Sequence, residues 1–187
     1  MIKTKADLKH YIEEDGRAEL RHRGVMPEGM KVYLNPRLLF VRNLRYYEYY
    51  ANKEKKSVLT KLKKAFHYFL HKHLSYKLGF TIYANQFGPG LFIAHYGTIV
   101  INKASRVGAN CVLNVCVNIG MGGSVIGDNC YISPGVKIVK PVHIGNNVVI
   151  GANAVVNKDI PDNTMVAGIP AKPIKRYNEA TSHWEKL

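Results

Sequence analysis

The hydrophobic positions in the C-terminal half of the chain recur with a period of six residues. Six β-branched residues share one phase of this repeat: Ile126, Ile132, Ile138, Ile144, Ile150 and Val156. A strict period of six fits neither an α-helix, with about 3.6 residues per turn, nor an alternating strand. It is typical of a parallel β-helix, in which three short strands form one triangular coil of about 18 residues. The pattern therefore predicts a β-helix in which these side chains stack inside the prism.

The same period, offset by one extra residue between Ile119 and Ile126, runs back through three earlier positions: Val107, Leu113 and Ile119. Cys111 and Cys130 fall in the second inward slot, which favours small residues, so we interpret both as packing residues. Cys116 lies off this phase, and the repeat does not assign it a place. Gly or Asn often follows the branched residue, and these residue types tolerate the left-handed backbone that a tight corner needs.

The N-terminal part has helical patterns instead. Residues 4–22 predict a helix capped by Thr4 with Asp7 in its first turn. Residues 57–78 predict an amphipathic helix with a basic opposite face. Its apolar stripe is expected at steps of four: Val58, Leu62, Phe66, Leu70, Leu74 and Leu78. One interpretation is a weak contact with an anionic membrane surface; the favoured one is a helix that covers the β-helix and joins subunits. The cluster RYYEYY, 45–50, is interpreted as helix packing in preference to a glycan platform.

Charge and composition change near Gly79. Residues 1–80 hold 18 Lys and Arg and 8 Asp and Glu, and so carry +10 of the net charge of +14. The chain before Gly79 is rich in Lys, Arg, Tyr and Leu, and the chain after it is rich in Gly, Val, Ile and Asn. We therefore predict a helical region over 1–79, a β-helix domain over 80–176 and a C-terminal tail over 177–187. The excess of basic residues implies attraction to an anionic partner.

Composition also narrows the class of protein. The 187 residues are 47% hydrophobic, which supports a core and argues against disorder. Three cysteines without CxxC spacing indicate free thiols in a reducing cytoplasm. We expect no signal peptide and no membrane span, hence a cytoplasmic protein at most associated with the inner membrane surface. Basic residues beside tyrosines could suit RNA, but no nucleic-acid motif is present, so no nucleic-acid partner is expected.

One histidine stands in an apolar run. His95 lies in FIAHYGTIVI, 92–101, and a lone histidine there is usually a packing or surface residue. The stretch IGDNCYISPGVKIVKPVHIGNNVVIGANAVV followed by AGIPAKPIK resembles the hexapeptide-repeat acyltransferases over roughly residues 82–175. GPGLFIAHYGTIVIN and DLKHYIEEDGRAE are similar to their serine acetyltransferase branch, including short members found among surface-polysaccharide genes.

The resemblance implies a mainly β fold, a left-handed parallel β-helix with an N-terminal α-helical region. It implies an enzyme that takes acetyl-CoA as donor and forms homotrimers, some of them paired into hexamers. It places His95 as the general base, in a groove between two subunits. The positions that match the family's CoA contacts are Pro134, Ala152, Asn157, Lys158, Lys172 and Lys175. No metal is expected, because the carbonic anhydrases of this fold need three histidines and the repeat holds only His95 and His143.

The sequence departs from true serine acetyltransferases where they recognise serine. Ala94 stands in place of an aspartate, the stretch 79–90 has no carboxylate, and the loop 118–127 is short and uncharged. These departures favour a neutral hydroxyl acceptor, preferably a sugar of a surface polysaccharide. L-serine, for cysteine biosynthesis, is the alternative acceptor, and a non-catalytic β-helix scaffold is an alternative of another class. Without a paired carboxylate, three amides are candidates for the acceptor side and for orienting His95: Asn85, Asn114 and Asn118.

Overall fold

In the computed structural model, which describes residues 1–54 and 57–187, a helical region precedes a parallel β-helix of about five coils. The helices are α1 (Lys5–Arg23), α2 (Met30–Leu34), α3 (Pro36–Asn52) and α4 (Val58–Leu78). The strands are β1 (Phe80–Thr81), β2 (Phe92–Ile93), β3 (Ile99–Ile101), β4 (Arg106–Val107), β5 (Val112–Leu113), β6 (Asn118–Ile119), β7 (Val125–Ile126), β8 (Tyr131–Ile132), β9 (Lys137–Ile138), β10 (His143–Ile144), β11 (Val149–Ile150), β12 (Val155–Val156), β13 (Thr164–Ala167), β14 (Lys172–Asn178) and β15 (His183–Lys186).

The strands form three parallel faces of a prism. One face has the order β1-β3-β6-β9-β12, the second β4-β7-β10, and the third begins β2-β5-β8-β11-β13. Two antiparallel strands, β14 and β15, extend the third face at its C-terminal end. The segment 177–187, predicted to be a C-terminal tail, contains the end of β14 and all of β15. The architecture confirms the predicted fold class.

The six-residue phase forms the core of the prism. All six repeat residues from Ile126 to Val156 are at most 2% exposed, and Cys111 and Cys130 are each 1% exposed. Asn residues take left-handed backbone at successive corners, with φ of 57° at Asn129 and 56° at Asn147. The Asn129 side chain donates to Asn147 Oδ1 at 3.1 Å, so these residues link neighbouring coils as well as turning the chain. The packing role of Cys111 and Cys130 is therefore confirmed, whereas the left-handed corner lies three residues after the branched residue and not directly after it.

The N-terminal helix has the predicted cap. Thr4 Oγ1 accepts from the Asp7 backbone N–H at 3.0 Å, and the Asp7 carboxylate accepts from the Thr4 backbone N–H at 2.8 Å. This reciprocal pair satisfies two of the free donors at the helix start. The cluster 45–50 lies in α3 and contains the buried residues Arg45 and Tyr49, which confirms helix packing.

The predicted apolar stripe of α4 is only half right. Leu74 and Leu78 are buried, whereas Val58, Leu62 and Phe66 are 74%, 62% and 63% exposed. Steps of four residues advance about 400° around a helix, so the stripe drifts by about 40° per step. Over the length of α4 the predicted positions therefore move from the exposed side to the buried side.

A buried ion cluster joins the helical region to the first coil. Arg45 is 0% exposed and donates to Asp15 at 2.8 and 3.1 Å and to Glu48 at 3.2 Å. Its remaining bonds go to the carbonyls of Phe87 and Gly88, at 3.1 and 2.7 Å, so the guanidinium makes five hydrogen bonds. Burial disfavours its charge, but Asp15 and Glu48 outweigh burial and raise the pKa of Arg45. This Arg45 cluster (Asp15, Arg45 and Glu48) fixes the loop that leads into β2.

Candidate active site

His95 lies at the corner where the chain leaves β2 for the neighbouring face. Its side chain is exposed, unlike Phe92 and Ile93 of the strand before it. Within residues 1–54 and 57–187, no side chain or backbone group makes a hydrogen bond to its imidazole. Whichever ring nitrogen lacks a proton is therefore open to a substrate hydroxyl, as a general base requires.

Two arginines hold the backbone immediately before His95. Arg37, 3% exposed, donates to the Ile93 carbonyl at 2.8 Å and binds Glu19 through both terminal nitrogens. Arg23 donates to the Ala94 carbonyl. These contacts tie α1 and α3 to the strand end, so His95 projects from a fixed backbone even though its ring has no partner.

The same strand end is covered by cationic and aromatic groups. His22 stacks on Phe92 with 4.5 Å between ring centroids, and the Arg37 guanidinium lies 5.6 Å from the centre of that ring. Burial, followed by the charge of Arg21, lowers the pKa of His22. None of these helix residues was identified from the sequence, because they contact the site from positions more than 50 residues away. The only signal was the similarity of DLKHYIEEDGRAE to a family segment, which gave no residue roles.

Strand register places two predicted cofactor residues on the same corner as His95. Extending the β2–β5, β5–β8 and β8–β11 pairings by two residues stacks His95, Val115, Pro134 and Ala152. Backbone bonds support this alignment, since Gly135 N–H donates to the Val115 carbonyl at 2.9 Å. Strands one coil apart lie about 4.8 Å from each other, so His95 and Ala152 are roughly 14 Å apart along the prism axis. We call these four residues the corner column.

The four remaining candidates for CoA binding fall into two groups. Lys172 pairs with Ala167 in the terminal hairpin, and Ala167 lies one coil below Gly151, at the lower end of the corner column. Lys175 pairs with Met165, further along the same strand. Asn157 and Lys158 instead follow β12, at the neighbouring corner of the prism. The structure thus brings Lys172 towards Ala152 but separates Asn157 and Lys158 from the corner column.

The three amide candidates lie in different places. The Asn85 and Asn52 side chains donate to each other at 2.7 and 3.0 Å, at the end of α3 and near the Arg45 cluster. Asn114 is 4% exposed and donates to the Ile132 carbonyl at 3.0 Å, directly below Ala94 in register. Asn118 lies in β6, on the face that follows the corner. Of the three, only Asn114 is adjacent in register to the backbone that carries His95.

Across 1–54 and 57–187, no group of three His, Cys, Asp or Glu side chains could hold a metal ion. No helix in the same residues is long and apolar enough to cross a membrane.

Sequence comparison relates the repeat region to bacterial transferases. Residues 123–158 match the family model for the bacterial transferase hexapeptide, six repeats. An Escherichia coli K12 protein, named for O-acetyl transfer in lipopolysaccharide biosynthesis (WbbJ), is 50% identical over 62 residues, which are 33% of this chain and 32% of that protein. Serine acetyltransferase of Synechococcus elongatus is 35% identical over 98 residues, which are 49% of this chain and 40% of the relative. The chain thus spans less than half the length of these relatives.

Structural comparison extends the similarity to the helical region. The serine acetyltransferase of Brucella abortus, solved in complex with coenzyme A, superposes with a TM-score of 0.70 at 22% identity. The superposition covers 92% of this chain and 69% of that one. At this identity the likeness establishes a shared fold, with helices before the β-helix.

Proposed function

Since this chain is a hexapeptide-repeat protein with a serine acetyltransferase-like fold, we propose that it transfers an acetyl group from acetyl-CoA to a hydroxyl. The observation that carries the proposal is the corner column, in which an exposed histidine stands above two of the positions expected to meet CoA. The Brucella relative binds coenzyme A with the same fold, which supports acetyl-CoA as the donor. The protein is then an acyltransferase, not a scaffold.

The reaction needs one base and a place for the thioester. His95 takes the proton from the acceptor hydroxyl as its oxygen attacks the carbonyl carbon of the thioester. Backbone N–H groups stabilise the negative oxygen of the tetrahedral intermediate. The intermediate collapses with cleavage of the carbon–sulfur bond, and the protonated His95 returns its proton to the CoA thiolate. The products are an acetyl ester and free CoA, without a covalent enzyme intermediate.

The acceptor we favour is a sugar hydroxyl of a surface polysaccharide. Ala94 and the uncharged loop 118–127 offer neither a carboxylate nor a cation beside His95. The Escherichia coli relative, named for lipopolysaccharide O-acetyl transfer, supports this choice. L-serine is the second candidate, because Arg23 donates to the Ala94 carbonyl and could turn its guanidinium to a carboxylate.

Thiol release from acetyl-CoA distinguishes the two acceptors. Purified protein is offered L-serine, nucleotide sugars and polysaccharide fragments under identical conditions. Turnover with a glycan and background release with serine support the sugar acceptor. Fast turnover with L-serine would assign the protein to cysteine biosynthesis instead.

We propose that the active enzyme is a homotrimer in the cytoplasm, with or without pairing of trimers. Two observations support a further subunit beside His95: the side chain is open in the protomer, and Tyr96 and Met121 are both 74% exposed. The free state of Cys111, Cys116 and Cys130 is compatible with a reducing compartment, where acetyl-CoA is available.

Neutralising two lysines tests the proposed CoA site. We expect Lys172→Gln/Lys175→Gln to raise the KM for acetyl-CoA about five- to tenfold with little change in kcat, because exposed lysines attract phosphates as point charges. The effect should shrink as salt is added. Lys31→Gln, an exposed lysine of α2, is the matched control. An equal KM in the double variant and the control would place the CoA phosphates elsewhere.

The exposed stripe of α4 supports a contact with anionic lipid. Leu59, Leu62, Phe66 and Phe69 are 60–69% exposed at helical spacing. The helix carries five lysines and no acidic residue, so two copies placed face to face would repel each other, whereas an anionic bilayer would attract them. We therefore assign this stripe to a membrane surface.

Vesicle sedimentation tests this assignment. We expect the wild-type protein to bind phosphatidylglycerol-containing vesicles, and Phe66→Ser/Phe69→Ser to bind them about tenfold more weakly, since two apolar side chains lose their burial. Leu34→Ser, at a 76% exposed position of α2, should bind as the wild type does. Unchanged vesicle binding by Phe66→Ser/Phe69→Ser would contradict the assignment. A smaller oligomer mass in that double variant would contradict it as well.

A further inference from the structure

A tyrosine-lined groove lies between the helices and the first coil of the β-helix. Its volume is about 540 Å³, and its walls come from α3, α4, β1 and the start of β3. Four tyrosines line it: Tyr47, Tyr68, Tyr76 and Tyr83. His71 and Lys72 add a ring and a positive charge from α4. A groove of this size accommodates a small organic ligand or a few sugar rings.

His71 presents an unused acceptor in this groove. The residue is 5% exposed, and its Nε2 lies 2.9 Å from the Ile82 carbonyl oxygen. A carbonyl can only accept, so Nε2 carries the proton and Nδ1 is the acceptor nitrogen. Burial lowers the pKa of His71, which keeps the ring neutral. Nδ1 is buried and has no partner in the described chain, and a buried acceptor without one is costly, so a ligand hydroxyl that reaches it after a shift of the neighbouring side chains satisfies it.

The tyrosines give the groove flat amphipathic surfaces. Tyr47 stacks on His71 at 5.7 Å between centroids, and Tyr68 lies 5.7 Å from Tyr47. Tyr68 and Tyr83 are each 38% exposed and Tyr76 is 87% exposed, so their rings are open to a ligand. A pyranose has the complementary character, with an apolar C–H face for a ring and hydroxyls for its polar edge. One lysine is too little positive charge for a nucleic-acid backbone.

The groove adjoins the chain segment that carries His95. Gly79 and Thr98 line it, and Thr98 follows His95 by three residues. The two residues that flank Thr98 bind the end of α4: Gly97 N–H donates to the Leu78 carbonyl and Ile99 N–H to the Gly79 carbonyl, both at 3.0 Å. The first coil is thus fixed to the end of α4 at the edge of the groove. A chain of sugars along the tyrosines can therefore extend towards the corner of His95.

We propose that this groove binds an oligosaccharide segment of the acceptor, next to the sugar that receives the acetyl group. The proposal rests on acetyl transfer to a glycan and adds where the glycan is held. Stacking on the exposed tyrosines supplies affinity, and the bond to His71 Nδ1 selects a sugar with a hydroxyl at the matching position. The enzyme should therefore prefer oligosaccharides to single sugars.

Direct binding tests the groove without depending on catalysis. The wild-type protein is applied to an array of defined oligosaccharides of three or more pyranose rings. We expect binding to a subset, and about tenfold weaker binding by Tyr76→Ala/Tyr83→Ala, since stacking on each ring contributes. Tyr33→Ala, at a 70% exposed tyrosine of α2 outside the groove, is the matched control. No binding to the array, or equal binding by both variants, overturns the proposal.

The His71→Gln variant tests the acceptor nitrogen Nδ1 while keeping the hydrogen bond to the Ile82 carbonyl. The Gln side-chain N–H₂ can still donate to the Ile82 carbonyl, whereas the acceptor at the Nδ1 position is lost. We expect a cooperative thermal unfolding transition with a lower midpoint, because the ring stacking on Phe40 and Tyr47 is lost, and weaker binding of the same oligosaccharides at a temperature where the variant is folded. Unchanged binding in a folded His71→Gln protein removes the role of Nδ1.

Kinetics distinguish failure of the groove from failure of acetyl transfer. With an active glycan acceptor, Tyr76→Ala/Tyr83→Ala should have a higher KM for the glycan than the wild type and the same KM for acetyl-CoA. An unchanged glycan KM overturns the groove and leaves acetyl transfer intact. Groove-dependent glycan binding without any thiol release would keep the groove as a glycan site and reject the proposed activity.

Discussion

The His95→Ala variant is expected to lose acetyl transfer by roughly a hundredfold or more in kcat, because general-base catalysis contributes on this scale. The imidazole is exposed and makes no hydrogen bond within the described residues, so its removal should leave the fold unchanged. The KM for acetyl-CoA should change little, since the proposed CoA contacts lie further down the corner column. Steady-state thiol release with the best acceptor measures both constants.

His143→Ala is the matched control for this variant. His143 is the other histidine of the repeat, exposed in β10 on a different face of the prism. It should keep full activity and the wild-type unfolding midpoint. Full activity in His95→Ala would refute the base assignment, and an equal loss in both variants would point to a general effect on the β-helix.

The Arg45→Ala variant is expected to lose about 3–5 kcal/mol of unfolding free energy, because it leaves two carboxylates buried without their counter-ion. Asp15 and Glu48 are 7% and 1% exposed. Asp15 also accepts the backbone N–H groups of Gly90 and Leu91 at 3.0 and 2.9 Å, so the loss should loosen the entry into β2. Urea unfolding followed by circular dichroism measures the change.

Arg17→Ala provides the comparison for a surface ion pair. The Arg17 side chain is 58% exposed beside Glu14, and such pairs contribute at most about 1 kcal/mol. Replacing the whole Arg45 cluster by Met, Asn and Gln should recover part of the stability, since no unpaired charge then remains. A loss below about 1 kcal/mol in Arg45→Ala would show that water reaches the cluster.

The β-helix could be predicted residue by residue because its signal is local and repeated. Each six-residue repeat places one branched side chain inward, so Ile132 and Ile150 carry the same information as their neighbours in the series. The cap formed by Thr4 and Asp7 was visible for the same reason, as its partners are three residues apart. Short-range patterns of this kind are what a single sequence shows most clearly.

Contacts between distant segments could not be predicted. Arg45 meets Asp15 across 30 residues, and Arg37 meets the Ile93 carbonyl across 56. No spacing rule links such positions, so RYYEYY indicated packing but not an ion cluster. The α4 stripe failed for a different reason: steps of four residues drift by about 40° each, so the predicted positions do not share one face of the helix.

The candidate site was predicted only in part. His95 stood out as a polar residue in an apolar run, and the register of the coils explains why Pro134 and Ala152 share its corner. The arginines that hold the strand end and the groove beside His71 come from helices whose docking the sequence did not show. The proposed roles of Lys158 and Asn157 now require a CoA path that passes the neighbouring corner.

The most direct test of acetyl transfer at His95 is to follow isotope-labelled acetyl from acetyl-CoA. Purified protein is incubated with a polysaccharide fragment, and the products are identified by mass spectrometry. We predict a labelled acetyl ester on a sugar hydroxyl and one free CoA for each ester, with neither formed by His95→Ala. Label that remains on CoA, or that appears only as free acetate, would contradict the account.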